Sequence, residues 1–402
     1  MIYKRLFQFF LLLLPTQLSL HLWPTQALIF GIRVDYLSPT LYLTDILLFL
    51  LFCFWLKEEK ILSQLKLSLG NVFLLLLILT FIVINCLLSP IPIISFYKWI
   101  KVLEGFVLAV FVKQNYSTIK TLLVWPLLGG LVFTLLLSIL QFSFQSTVGG
   151  VFSWFGERNF SRSTPGIAVF YFLDKPWLRV YATFPHPNVL AGYAIVVGLL
   201  LQRFASRTQS FIAWAVVLTL LLLTMSHGAI VACFSVLILG ILPKAKSIVV
   251  ARFLCVLIVL LSLLLPLLAT SIPTFDNQGT RLRQNLLLSS GDLFSQSPIL
   301  GIGLGSFIVK QNQISDSNIL FSEAPTFRFQ PVHNVIVLLL VEIGLLGVLI
   351  MFFGLLRLLK TKEYLFVFAL VVVLITGLVD HYWLTLQQPY LLASIIIGLM
   401  LE

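Results

Sequence analysis

The sequence predicts an all-α, polytopic integral membrane protein with about twelve transmembrane helices and two long extracytoplasmic loops that contain short amphipathic helices. Only 10% of the 402 residues are charged and 59% are hydrophobic, whereas about a quarter of the residues of a soluble domain are charged. Many apolar runs also reach the roughly 17 to 25 residues that a helix needs to cross a bilayer. A water-soluble globule is therefore excluded.

Each apolar run predicts one helix, and the runs follow one another along the chain. Spanning segments are expected near residues 6–22, 40–56, 68–88, 97–112, 121–144, 188–202, 210–225, 229–242, 249–268, 334–356, 364–379 and 388–401. The first resembles a signal peptide, but no small-x-small cleavage site follows it, so we interpret it as a retained helix. Because no repeat or linker divides the sequence, we expect residues 1–402 to form a single integral-membrane domain.

The net charge of +11 predicts an orientation in the membrane rather than a nucleic-acid partner. If both termini are cytoplasmic, the inner connections are short and basic, and together with Lys4, Arg5 and Arg252 they hold 15 of the 26 Lys and Arg residues, as the positive-inside rule requires. The four cysteines all lie in apolar runs, which indicates neither a disulfide framework nor a metal cluster. We expect a multi-pass protein of the cytoplasmic (inner) membrane, surrounded by lipids.

Two long segments on the opposite side, residues 145–187 and 269–333, collect the polar residues. They are rich in Gly, Pro, Ser and Asn and contain many aromatic residues. Long loops without strong periodicity are usually functional or disordered, and the aromatic content argues against disorder. We therefore expect the functional site to be extracytoplasmic and formed by these two loops.

The first polar cluster is "RVYATFPHPNVLAGY". Two prolines stiffen the backbone around His186, and Asn188 is suited to cap the helix that follows, although a rigid turn would explain both residues. Arg179 lies close to the bilayer on the predicted non-cytoplasmic side, where the positive-inside rule disfavours arginine. It should therefore have a partner. Its planar guanidinium matches phosphate oxygens in a bidentate way.

The second cluster is "GTRLRQNLLLSSGDLFSQSPILGIGLGSF". Arg281 and Arg283 open a predicted short amphipathic helix, where they could be solvated loop charges or binding residues. Residues two apart on a helix point to different sides, so only one should face a site. Gly301, Gly303 and Gly305 do not form a dinucleotide motif, and we interpret them as a tight turn with close backbone packing.

The third cluster is "PVHNVIVLLLVEIGLLG". His333 lies at the predicted water boundary of an apolar helix, where it could be an interfacial hydrogen-bonding group or a proton acceptor near neutral pH, and Asn334 can cap the helix. Glu342 should lie about two and a half turns further along, too far for direct contact with His333, and should bond to another helix or polar group. Asp380 and His381, in "DHYW", can face the same compartment.

These stretches, in this order and separated by apolar helices, resemble the bacterial O-antigen ligase and polymerase superfamily. The N-terminal "LLLPTQLSLHLWP" and the C-terminal "GLVDHYW" are also similar to members of it, so the resemblance covers most of the chain. It implies a membrane glycosyltransferase that moves a glycan from an undecaprenyl diphosphate carrier to a hydroxyl of a glycan, lipid or protein acceptor. Such enzymes act on the outer face of the cytoplasmic membrane without a metal or other cofactor, in lipopolysaccharide or exopolysaccharide biosynthesis.

The resemblance also assigns roles to residues. Arg179 and one arginine of the 281–283 pair would bind the diphosphate, with Arg283 favoured over Arg281 by its spacing to Pro298, and His333 would activate the acceptor. The supporting residues would be His186, Asn188, Asn334, Glu342, Asp380 and His381. The chemistry agrees, because two arginines offer positive charge to the leaving diphosphate where a soluble enzyme might use Mg²⁺. Attack from the face opposite the diphosphate would invert the anomeric centre.

Two alternatives to an O-antigen ligase stay open in the sequence. A repeat-unit polymerase of the same superfamily needs the same donor and the same base, and only its acceptor differs. A lipid or polysaccharide transporter should keep ionisable residues near the bilayer midplane and often has two related halves. Glu104 and Glu342 are the main charges expected there, and no related halves are visible, so an enzyme is favoured.

Overall fold

A computed structural model describes residues 2–60, 69–268, 278–315 and 329–402. Helices form most of this part of the chain. They are α1 (Ile2–Leu13), α2 (Leu43–Glu58), α3 (Leu69–Leu88), α4 (Pro92–Gln114), α5 (Tyr116–Leu122), α6 (Val124–Phe144), α7 (Pro187–Phe204), α8 (Arg207–Thr224), α9 (His227–Ile241), α10 (Lys244–Leu268), α11 (Gln278–Gln296), α12 (Phe307–Ser315), α13 (Val335–Leu358), α14 (Tyr364–Gly377), α15 (Tyr382–Thr385) and α16 (Gln387–Met400).

Each of the twelve predicted segments overlaps one of these helices. Five helices, α6, α7, α8, α10 and α13, are long and apolar enough to cross a membrane, and α3, α9, α14 and α16 contain shorter apolar helices. The prediction of a mostly helical membrane protein is therefore confirmed. The number of twelve spans stays a prediction, because length and composition identify fewer.

The first predicted segment, 6–22, is wrong in its second half. Helix α1 ends at Leu13, just before Pro15, whose ring lacks an N–H and cannot continue a helix. The chain then enters strand β1 (Ser19–His21), which pairs antiparallel with β4 (Thr40–Tyr42). A second small pair, β2 (Leu28–Ile29) with β3 (Ile32–Arg33), lies between them.

The loop 145–187 also differs from the prediction of amphipathic helices. It contains a 3₁₀ turn at Gly150–Phe155 and a hairpin of β5 (Val169–Phe172) with β6 (Lys175–Leu178). Its aromatic and β-branched residues favour a strand, and both residues of the tight turn, Leu173 and Asp174, have positive φ, as a hairpin turn requires.

The loop 269–333 does contain helices, as predicted. Helices α11 and α12 fall within it. Residues 269–277 and 316–328 of this predicted loop lie outside the described part of the chain. The helix that Arg281 and Arg283 were expected to open is 19 residues long, which is longer than the sequence suggested.

Helix α7 lies at the centre of the bundle. Of the five candidate spans it is the most buried, with 78% of its apolar window inside the protein. It packs against α8 and α14. Gly192 lets the Tyr382 hydroxyl approach the α7 backbone, because a Cβ at this position would overlap that oxygen. The segment that carries Asp380 and His381 is thereby held beside the N-terminal end of α7.

Helix α13 is broken at Gly344, which has φ 68° and ψ −178°. The backbone of residues 298–303 pairs with α13 across the break: Ile302 N donates to Val341 O at 3.0 Å and Leu345 N to Pro298 O at 2.8 Å. A Cβ at Gly301 would overlap Glu342 O. The interpretation of this glycine-rich segment as a turn with close backbone packing is confirmed.

A buried asparagine on α3 holds this arrangement. Asn85 Nδ2 donates to Leu300 O and to Glu342 O, each at 2.9 Å. Its Oδ1 accepts from Trp99 Nε1 at 3.0 Å and from Leu304 N at 2.9 Å. With both donors and both lone pairs used, this one side chain ties the 298–306 segment to α3, α4 and α13.

The helices contain more charged residues in contact with one another than the sequence predicts. Lys101 Nζ lies 2.5 Å from Asp45 Oδ2 and 3.2 Å from Glu104 Oε2. Gln387 Nε2 donates to Asp45 Oδ1. The group joins α2, α4 and α16, and it was missed because single charges on separate helices become a pair only when those helices pack.

Candidate functional site

A cavity of about 810 Å³ is bounded by the beginnings of α7 and α13, the end of α14, part of α4 and the loop 145–187. Of the candidate site residues predicted from the sequence, seven line it: His186, Asn188, Arg283, His333, Glu342, Asp380 and His381. Its volume falls within the roughly 300 to 1,000 Å³ of ligand-binding sites. Four separate stretches of sequence thus meet at one cavity.

His333 lies beside Asp380 and His381. Its Nδ1 is 3.9 Å from Asp380 Oδ1, which is within ion-pair range but too long for a hydrogen bond. The His333 and His381 rings stack with centroids 5.3 Å apart. Within the described residues, His333 Nδ1 is buried without a hydrogen-bond partner, and it lies on the Asp380 side of the ring.

Asp380 supplies one negative charge to this cluster. Burial raises the pKa of its carboxyl, but the electrostatic interactions with His333, His381 and His186 lower it more, to well below its usual range. Burial lowers the pKa of His381 to about 3 and that of His186 to about 4. At neutral pH these two histidines are uncharged, and Asp380 is an anion close to His333.

Arg179 does not line the cavity. Its Nε donates to Thr224 O at 2.6 Å and its Nη2 to Asn188 Oδ1 at 2.7 Å. Asn188 Nδ2 in turn donates to Asp380 Oδ2 at 3.3 Å. The partner expected for Arg179 is therefore Asn188, and the guanidinium lies one residue behind the cavity wall.

The expected N-cap role of Asn188 is wrong. Helix α7 begins at Pro187, and the cap is His186, whose Nδ1 accepts from Asn188 N at 3.2 Å. Proline is favoured at the first helical position, because its missing N–H would have no partner there. That start leaves the Asn188 side chain free to bridge Arg179 and Asp380.

The two arginines of α11 differ in position. Arg283 lines the cavity, whereas Arg281 is outside its described lining, in keeping with the expectation that only one faces the site. The charge of Arg283 adds to burial in lowering the pKa of Arg179 and of His186. Positive charge is therefore concentrated at this end of the cavity.

Asn334 and Glu342 have structural partners. Asn334 Oδ1 accepts from Val337 N at 3.0 Å, which confirms the predicted helix cap. Glu342 Oε1 accepts from Phe307 N at 3.1 Å. As expected, this carboxylate bonds to another element rather than to His333, and it anchors the start of α12.

Several cavity residues were missed in the sequence. Arg158, in the loop 145–187, lines the cavity, and its Nη1 donates to Pro185 O at 3.3 Å. The reasoning that selected Arg179, an arginine against the topological bias, applies equally to Arg158. Tyr36 packs its ring edge on His381 with centroids 5.2 Å apart, and no local pattern in the sequence indicates this contact.

His333, Asp380 and His381 also form a group that could hold a metal ion. Their ligand atoms all lie within 4.8 Å of one another. Two histidines and one carboxylate are a ligand set that iron and related metals accept. The prediction that the site works without a metal therefore stays a prediction, to be tested with a chelator.

The fold and the cavity define a multi-pass helical membrane protein with an arginine- and histidine-lined site. A family model described as O-antigen ligase matches residues 211–352, a stretch that contains Arg283, His333 and Glu342. The match confirms the resemblance to the O-antigen ligase superfamily. No curated protein and no solved structure matches the chain.

Proposed function

We propose that the protein is a membrane glycosyltransferase of the O-antigen ligase type. It moves a glycan from an undecaprenyl diphosphate carrier to an acceptor hydroxyl on the outer face of the cytoplasmic membrane. The observation that supports this most is that Arg283 and His333, from separate parts of the chain, line one cavity. The match to the O-antigen ligase family over 211–352 supports the same reaction class.

The diphosphate would lie at the positive end of the cavity. Arg283 and Arg158 line it and can donate to phosphate oxygens directly, because guanidinium groups match phosphate geometry. Arg179 would act from behind, through its charge and by fixing Asn188. Together these cations would stabilise the negative charge that develops on the leaving diphosphate.

His333 would be the general base. It takes the proton of the acceptor hydroxyl while the acceptor oxygen attacks the anomeric carbon, and the bond from that carbon to the diphosphate oxygen breaks. Asp380, 3.9 Å from His333, would stabilise the imidazolium that forms. A base of this kind typically contributes roughly 10² to 10⁴ in rate, and attack opposite the leaving group inverts the anomeric centre.

The proposed orientation places both termini in the cytoplasm and the cavity outside. The basic connections lie on the side expected to be cytoplasmic. A salt bridge joins two of these connections. Arg203 Nε, at the end of α7, lies 2.6 Å from Glu363 Oε2, just before α14. The cavity is lined from the opposite ends of these two helices.

Reconstitution tests the proposed function. Purified protein in liposomes receives an undecaprenyl-diphosphate-linked oligosaccharide, with and without a second hydroxyl acceptor, and products are analysed by mass spectrometry. We expect transfer by the wild type and none by His333→Ala, while EDTA leaves the rate unchanged. Activity retained in His333→Ala would remove the base, and loss with EDTA that Mn²⁺ or Fe²⁺ restores would make the cluster a metal site.

The same assay separates the alternatives. A product that lengthens without a second acceptor identifies a repeat-unit polymerase, whereas a ligase requires that acceptor. A transporter would move labelled lipid-linked glycan across proteoliposomes at the same rate in wild type and in His333→Ala. The observation that favours a transporter is the partly buried charge group of Lys101, Asp45 and Glu104.

A further inference from the structure

The cavity continues past the proposed catalytic residues to an inner end lined by α4 and α13. Lys98, Lys101 and Glu342 line it there. Glu342 is seven residues beyond Val335, the first residue of α13, so it lies about 10 Å further along the helix at 1.5 Å per residue. The inner end is therefore deeper in the bundle than His333, and the proposed transfer does not use it.

The two lysines of the inner end differ in their partners. Lys101 pairs with Asp45 and Glu104. Lys98 has neither an ion pair nor a hydrogen bond to any residue that the structure describes, and its ammonium lies over the Tyr97 ring, 5.6 Å from the centroid. Glu342 attracts Lys98 electrostatically from beyond ion-pair distance, but its Oε1 accepts from Phe307 N.

Lys98 is partly buried, and its stem is packed against the protein. Its stem packs against Gly305, where an added Cβ would lie 3.0 Å from Lys98 Cγ. A half-buried ammonium without a close counter-ion is unfavourable until an anion reaches it. Lys98 therefore offers a positive charge to an anion that enters the inner end of the cavity.

Tyrosine rings complete the wall. Tyr97, Tyr42 and Tyr390 line this part of the cavity. The hydroxyl of Tyr97 donates to Thr40 O at 2.8 Å and that of Tyr390 to Lys101 O at 2.9 Å. Because these two hydroxyls are already bonded, Tyr97 and Tyr390 contribute chiefly their ring surfaces, as walls that contact sugar rings do.

We propose that Lys98, with the Tyr97 ring, forms an acceptor subsite that binds an anionic group, phosphate or carboxylate, carried by the acceptor glycan. This inference rests on the proposed function, which places the donor diphosphate at the Arg283 end and the reacting hydroxyl at His333. The acceptor then extends from His333 toward the inner end. Lys98 selects acceptors that carry negative charge.

Steady-state kinetics with matched acceptors test the subsite. The probes are one neutral oligosaccharide and the same oligosaccharide carrying a phosphate or a glucuronate. In Lys98→Met we expect the KM for both charged acceptors to rise about tenfold, in line with the loss of one charge-assisted contact. The KM for the neutral acceptor, the KM for the donor and kcat should stay unchanged.

Two variants serve as controls. Lys98→Arg keeps the charge and should keep the preference, and Lys113→Met removes an exposed lysine from the end of the same helix and should change nothing. Equal KM values for charged and neutral acceptors in the wild type would overturn the subsite. So would a rise in the donor KM of Lys98→Met, since the lysine would then serve the diphosphate.

A binding measurement separates this inference from the proposed function. Thermal shifts of wild type, Lys98→Met and His333→Ala are recorded with each oligosaccharide, without donor. Charge-dependent stabilisation in wild type and His333→Ala, but not in Lys98→Met, supports the subsite even if no transfer is ever observed. Stabilisation that is independent of Lys98 overturns it, whatever the outcome of the transfer assay.

Discussion

At the scale of single residues, position relative to the cavity decides what each arginine can do. Arg283 lines the cavity and Arg281, two residues earlier on the same helix, is outside its described lining. Arg179 is bonded to Thr224 O and Asn188. A guanidinium that faces a substrate binds it, whereas one behind the wall fixes the residues that do.

Replacing each arginine of α11 with lysine tests this distinction. We expect Arg283→Lys to lower kcat/KM for the lipid-linked donor about tenfold or more, because a point charge does not reproduce the bidentate fork. Arg281→Lys should stay within about twofold, since exposed charges away from a site contribute little. Donor kinetics in proteoliposomes measure both, and equal losses in the two variants would contradict the assignment.

The buried histidines make stability depend on pH. Burial lowers the pKa of His381 to about 3 and that of His186 to about 4, while an unfolded histidine titrates near 6.5. Below about pH 6.5 the unfolded chain therefore binds protons that the folded chain does not, and stability falls as the pH falls. Because the pKa of Asp380 is also lowered in the folded protein, the loss of stability continues at more acidic pH.

Thermal unfolding in detergent checks this direction. Between pH 7 and pH 5 we expect the free energy of unfolding to fall by up to about 2 kcal/mol per buried histidine. His381→Gln should flatten the dependence, whereas replacement of the exposed His227 by glutamine should leave it unchanged. A wild-type midpoint that rises on acidification would show that these histidines are charged in the folded protein.

At the scale of secondary-structure elements, the break in α13 organises the site. Gly344 adopts a positive φ, and the backbone of 298–303 replaces the helical hydrogen bonds that are lost. The segment between α11 and α12 is thereby held against α13, and Glu342 Oε1 accepts from Phe307 N at the start of α12. Its backbone geometry is incompatible with a side chain at Gly344, because a Cβ there would overlap Ile299 O.

Gly344→Ala should therefore destabilise the protein by about 2 kcal/mol or more, through strain and steric overlap. Gly354 on the same helix is the matched control, since no described heavy atom lies within 4 Å of a Cβ built there. Gly354→Ala should be neutral or slightly stabilising, because alanine favours the helix. Thermal midpoints of the two variants measure the difference, and equal midpoints would contradict a structural role for the break.

The positions of the helices could be predicted from the sequence, whereas contacts between distant elements could not. Apolar runs locate the helices well, because a spanning helix must be apolar over most of its length. Local signals also explain the end of α1 before Pro15 and the cap of α13 by Asn334. The break at Gly344 was missed because it depends on hydrogen bonds from a distant segment, and so was the pairing of Lys101 with Asp45.

At the scale of the whole molecule, the grouping of the site residues also depends on contacts between distant segments, which a local stretch of sequence does not reveal. Residues such as His333 and Asp380, which line the cavity, were found because they are polar or charged groups at the predicted outer ends of apolar helices. Their grouping follows from helix packing around α7, which no single stretch contains. Arg158 and Lys98 were missed for that reason, although each lies within a segment that the sequence had already marked.

Orientation is the whole-molecule property on which the proposed function depends, since the lipid-linked glycan is expected on the outer side. Ser163, in the loop 145–187, and Thr208, at the start of α8, are both exposed and lie on sides predicted to be opposite. A membrane-impermeant maleimide applied to intact spheroplasts should label Ser163→Cys, and should label Thr208→Cys only after permeabilisation. Wild-type protein gives the background from Cys53, the exposed native cysteine. The reverse pattern would place the cavity in the cytoplasm, where the positive-inside rule disfavours it, and would exclude transfer to an acceptor on the outer face.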